Sequence, residues 1–66
     1  MTEEKLRRMM KYVELIRDSA MASGLYYAMS SYEEDDETIK RYTGLRDRYS
    51  TLSADLIHRM EREMKR

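Results

Sequence analysis

In the second half of the chain Ile39, Tyr42, Leu45, Tyr49, Leu52, Leu56, Met60 and Met64 follow one another at steps of three or four. Residues at that spacing lie on one face of a helix, so the run draws a continuous apolar stripe along a long amphipathic helix. Nothing breaks it: the chain has no proline and only 2 glycines. A stripe of that length needs an apolar counterpart. The first half supplies one in Leu6, Met9, Val13, Ile16, Ala20, Ser23 and Tyr27, widened by Met10. The pattern predicts one all-α domain, with a helix over about 3–30, an acidic turn over about 31–36 and a second helix over about 36–65.

Local signals mark the ends. Thr2 is a good N-cap, and Glu3 and Glu4 stand where the positive end of a helix favours acids. Glu33, Glu34, Asp35, Asp36 and Glu37 repel one another and prefer water, and Asp35 or Asp36 can cap the following helix. Ser30 with Glu33 and Ser31 with Glu34 also match the capping-box spacing, so the boundary is set only within several residues. The run lacks the alternation and glycine of a calcium loop, and no metal is expected. Glu3 with Arg7, Glu4 with Arg8, Glu37 with Arg41, Asp55 with Arg59 and Glu61 with Lys65 are supporting pairs with the acid first. Arg62, Lys65 and Arg66 suit the negative end of the second helix.

Two long helices joined by a short turn make an antiparallel hairpin. A chain of 66 residues buries only about 60% of its unfolded surface, a marginal core. With 0 cysteines and 1 histidine, disulfides and thiolate zinc sites are excluded and association is the remaining source of stability. The expectation is a dimeric four-helix bundle with Leu6, Val13, Ile16, Ala20, Gly24, Tyr42, Leu45, Tyr49, Leu52, Leu56 and Met60 in its core. In shape alone this resembles the Rop-type plasmid proteins; no motif is shared.

Residues 19–32 carry no charge in a chain whose composition is 39% charged. A helix without a charged face is enclosed on more than one side, which suits the interior of an oligomer or a surface for a foreign partner. Ala20, Gly24 and Ala28 fall four apart within it. Gly24 and Gly44 come to one height of the hairpin, which predicts a close backbone approach there or a small pocket edged by Tyr26, Tyr27, Tyr42 and Tyr49. The competing reading makes Gly24 the C-cap of a shorter first helix. Charge is polarised too. Residues 19–39 hold five acids and no bases, while Lys5, Arg7, Arg8, Lys11, Arg59, Arg62, Lys65 and Arg66 outnumber Glu3, Glu4, Glu61 and Glu63 at the other end. Two hairpins are therefore expected to lie antiparallel, each acidic turn beside the other's basic end.

For function the sequence excludes more than it specifies. His58 has no companion histidine or cysteine, only Asp55 and Glu61 nearby. There is no nucleophile elbow or phosphate loop, so neither catalysis nor a cofactor is expected. A net charge of +0 argues against a nucleic-acid binder working by bulk field, although Arg7, Arg8, Lys11, Arg59 and Arg62 could meet RNA phosphates as in a Rop-like bundle. A nucleotide or similar ligand between tyrosine-lined helices is a further alternative. The preferred reading is a small homodimeric adaptor or inhibitor that binds another protein. Its surface would comprise Tyr26, Tyr27, Met29, Tyr32, Glu33, Glu34, Asp35 and Asp36. The start, Met1-Thr2-Glu3-Glu4, lacks the apolar run of a signal peptide. No stretch approaches the roughly 20 apolar residues of a membrane span. The expected location is cytoplasmic.

Overall fold

The computed structural model describes residues 2–65. Two helices, α1 (Glu3–Tyr32) and α2 (Asp36–Met64), lie antiparallel and pack along their lengths, giving a hairpin of 50 × 15 × 11 Å. The first turn of α1 is held by Thr2, whose hydroxyl accepts from the Lys5 amide at 3.1 Å. At the start of α2 the Asp35 carboxylate accepts both the Thr38 amide, at 3.0 Å, and the Thr38 hydroxyl, at 2.6 Å. In the turn, the Glu33 carboxylate accepts the amides of Glu34 at 3.0 Å and Asp35 at 3.2 Å. These bonds satisfy amides that the turn leaves free, so a three-residue connection needs neither glycine nor a positive φ. The two serine capping boxes do not form. Ser30 and Ser31 donate instead to the Tyr27 carbonyl, at 2.8 and 3.0 Å, inside α1.

The least exposed side chains run down α1 through Lys5, Met9, Tyr12, Ile16, Ser19, Ser23, Tyr26 and Ser30, at alternating steps of four and three. Their counterparts on α2 are Tyr42, Arg46, Tyr49, Ser53, Leu56, Met60 and Glu63. This alternation is the seam of two helices packed at a shallow angle. Only Met9 and Leu56, each 8% exposed, and Ser19, 4% exposed, are buried among the described residues. The middle of the seam is polar. Ser19 donates back to the carbonyls of Leu15 (2.9 Å) and Ile16 (3.1 Å), and Ser23 bonds the Arg46 carbonyl (3.1 Å) and the Ser50 hydroxyl (2.6 Å). Toward the turn the Tyr26 ring stacks on Tyr49 (5.8 Å between centroids) and tilts against Tyr42 (6.0 Å).

The apolar stripe read from the first half straddles this seam. Met9, Ile16 and Ser23 face α2, whereas Leu6, Val13, Ala20 and Tyr27 sit one position further round and are exposed. The glycine expectation needs correction as well. α1 runs unbroken through Gly24, and a Cβ added at Gly24 or Gly44 would meet nothing within 4 Å. Both glycines are exposed, away from the seam, so in the hairpin they mark no close approach and no helix end.

Of the ion pairs expected along the helices, Arg7 with Glu3 (2.9 Å) and Arg59 with Asp55 (3.0 Å) are present. Arg8 turns from Glu4 to reach Glu63 at 3.6 Å, linking the two helices. Arg17 and Arg46 pair with their neighbours Asp18 (3.3 Å) and Asp47 (3.0 Å). The expected role of Arg66 at the end of α2, and the reading of Met1, fall outside the described residues.

Candidate functional site

Because the seam is narrow, each helix leaves apolar residues on both sides of it. One side of the hairpin carries Leu15, Ala22, Leu25, Met29 and Tyr32 from α1 with Leu45 and Leu52 from α2; all but the half-buried Ala22 and Leu45 are exposed. In its middle Leu15, Ala22, Tyr49, Leu52 and Leu56 line one shallow apolar groove, with Asp18 and Ser19 at its edge. The opposite side carries Leu6, Met10, Val13 and Tyr27 from α1 with Ile57 and Met64 from α2. There Leu6, Met9, Met10 and Val13 line a second groove.

The residues expected to bind a partner are divided by this arrangement. Met29, Tyr32 and Glu33 come together with Ala28 and Tyr42 around a groove beside the turn, and Tyr32 is 90% exposed. Tyr26 is taken into the seam by Tyr42 and Tyr49. Tyr27 lies on the other side, with the Arg46 guanidinium 5.7 Å from its ring centre. Glu34 and Asp36 are exposed beside that groove. The hydrogen bond from the Thr38 hydroxyl, aided by the Thr38 amide and by Arg41, holds the Asp35 carboxyl below its ordinary pKa. It therefore stays charged as the cap of α2. Of the tyrosines expected to edge a ligand pocket, Tyr26, Tyr42 and Tyr49 lie with their rings against one another.

Of the basic residues, Arg8, Lys11 and Arg59 line a groove with Tyr12, Leu15, Leu56 and Glu63, and Arg62 continues it beside Tyr12 and Arg59. Arg7 is turned to Glu3 outside that group. The Arg8 and Arg59 charges are partly met by Glu63 and Asp55. His58 is exposed and 4.0 Å from Glu61. Among the described residues no three acids, histidines or cysteines are grouped to hold a metal ion, and no helix is long and apolar enough to cross a membrane.

Of the expected core residues, Ile16, Tyr42, Tyr49, Leu56 and Met60 lie in the seam and Leu45 lies half-buried beside it. Leu6, Val13, Ala20, Gly24 and Leu52 are exposed in the single hairpin. Leu15, Leu25 and Ile57 escaped the sequence reading. The signal for them is their position directly beside a seam residue, which cannot be read until the seam is known. No protein-family model, curated protein or solved structure matches the chain.

Proposed function

We propose that this chain is a non-enzymatic helical protein of the cytoplasm that dimerises into a four-helix bundle and acts by binding another protein, as an adaptor or inhibitor. The observation that carries the reading is the pair of apolar flanks. Among the described residues a hairpin this thin buries three side chains and exposes Leu6, Met10, Val13, Leu15, Leu25 and Tyr27 on α1 alone. Scattered exposed apolar residues need no explanation, but contiguous ones on two opposite sides mark contact surfaces. One flank serves a second copy and the other remains for a partner. On the free flank Met29 and Tyr32 supply adaptable and aromatic anchors. The adjoining carboxylates of Glu33, Glu34 and Asp36 steer toward a basic surface.

The basic groove supports a second reading, RNA binding in the manner of a Rop-like bundle. Arg8, Lys11, Arg59 and Arg62 gather around Tyr12, an arrangement that can meet phosphates and a base. Glu63 and Asp55 already engage two of those four, which favours the protein-binding reading.

Native mass spectrometry of gently purified protein tests both. The expected species has twice the chain mass of 8.0 kDa and retains a protein at fixed stoichiometry. That protein should be lost from Met29→Asp and Tyr32→Ala. A monomer at micromolar concentration refutes the assembly. Retained RNA, released by salt and by Arg59→Ala, would replace the adaptor reading with the second one.

A further inference from the structure

The two flanks differ in how well each would meet a copy of itself. We infer that the side bearing Leu6, Met10 and Val13 is the self-association face, and that two copies meet there through α1 against an antiparallel α1. The inference rests on the proposed dimer and specifies its face and register.

On this side α1 presents Leu6, Met10, Val13, Arg17, Ala20, Gly24, Tyr27 and Ser31, each one position beyond a seam residue. The half near the termini is bulky and exposed, with Leu6 at 49%, Met10 at 57% and Val13 at 56%. In the half near the turn, Ala20, Gly24 and Ser31 are small. Crossing two copies between Asp18 and Ser19, one residue past the middle of α1, sets residues equidistant from that point side by side. Val13 then meets Gly24 of the second copy, Leu6 meets Ser31, Arg17 meets Ala20 and Met10 meets Tyr27. Bulk thus faces a gap at three levels of four. Gly24 has open space at its Cβ position in the single hairpin, which is where the Val13 side chain would enter.

Charge selects the same arrangement. It brings each acidic turn beside the basic end of the other copy, within reach of screened attraction. The competing arrangement on this face, with both turns at one end, would set Leu6 against Met64 and Val13 against Ile57. Its apolar contacts are comparable, but it gathers both acidic turns together. On the opposite flank an antiparallel copy would likewise set Leu15 against Leu25 along α1, but along α2 it would oppose Arg41 to Arg59 and set Leu45 against Asp55, and that cost leaves the side for another partner. Size is sufficient when α2 follows α1 into the contact: the whole face, both helices included, measures 50 × 15 Å, a footprint of about 750 Å² per copy, close to the roughly 800 Å² per partner of a standard stable interface.

The chain has no cysteine, so engineered thiols report cleanly. Val13→Cys combined with Gly24→Cys should give a covalent dimer on mild oxidation. The two positions are three turns apart on one helix and cannot close within a chain. Gly24→Leu, which favours helix and should keep the fold by circular dichroism, should raise the dimer dissociation constant at least about tenfold by overfilling the contact. Gly44→Leu, on the outer surface of α2, should leave it within about twofold. A wild-type dimer that fails to cross-link through 13 and 24, or that is indifferent to Gly24→Leu, overturns this face and register while leaving dimerisation intact. A wild-type monomer instead overturns the underlying reading.

Discussion

Leu52 and Leu56 stand one turn apart on α2, and truncating each to alanine tests the register of the seam. Leu56 is 8% exposed and Leu52 is 45% exposed. Leu→Ala removes side-chain carbons worth about 0.8 kcal/mol each when fully buried, plus a cavity contribution where the surroundings cannot collapse. At Leu56 nearly all of the transfer contribution applies. The groove it shares with Tyr12 and Leu15 is open to solvent on one side, which keeps the cavity contribution small, so a loss of about 2.5–3 kcal/mol is expected. At Leu52 roughly half the area is already in water, and the expected loss is about 1 kcal/mol. Native domains hold roughly 0.05–0.15 kcal/mol per residue, so over 66 residues the larger loss removes between about a quarter and nearly all of the stability. Urea titration followed by circular dichroism, at several protein concentrations, measures both variants against wild type. Equal losses, or a larger loss at Leu52, would refute the seam described above, since they would require α2 to present its Leu52 edge to α1.

Ser19→Ala should be neutral or stabilising, by up to about 0.5 kcal/mol, because the hydroxyl bonds only to its own helix and alanine is the better helix former; thermal melts measure it, and a loss above about 1 kcal/mol would mean that the hydroxyl serves a contact beyond α1. The pH dependence of stability carries the signature of the Asp35 cap. Its pKa is lowered on folding, so its contribution is present above the ordinary value of 3.8 and is lost as pH falls through the lower folded value. Asp35→Asn, which can still cap, should therefore show a smaller stability loss over that acid range than wild type in denaturation titrations. An unchanged acid slope would remove Asp35 as a source of it.

The ends of the helices were legible because their chemistry is local. Thr2 and Asp35 are capping residues, and each bonds an amide three residues on whatever the rest of the chain does. The choice between Asp35 and the serine boxes depended on whether α1 continued through Ser30 and Ser31, and sequence alone left that open. Two antiparallel helices followed from the stripes and the turn. Which face of α1 meets α2 was not legible, for a physical reason. Seam positions such as Lys5, Ser19, Ser30 and Arg46 are polar, while Leu6, Val13, Leu15 and Leu25 beside the seam are apolar. A search for apolar periodicity therefore drifts across neighbouring faces. Arg46 can occupy a seam position because its head finds Asp47 and the Tyr27 ring, a pairing outside the range of helix-period reasoning. The candidate surfaces followed the same division. The Met29 and Tyr32 cluster was visible as an uncharged run, but the separation of Tyr26 from Tyr27 waited on the seam.

The three-residue turn also dictates an order of events in folding. Contacts next to it close a very small loop, whereas bringing Arg8 to Glu63 closes nearly the whole chain, and the entropy of closure grows with the logarithm of loop size. The hairpin should therefore zip from Glu33 outward, with tyrosine stacking formed before the far ends meet. A chain that assembles this way shows its last-formed turns to a protease first. Pulsed hydrogen exchange during refolding should accordingly protect the amides around Tyr26, Tyr42 and Tyr49 before those around Met9 and Met60.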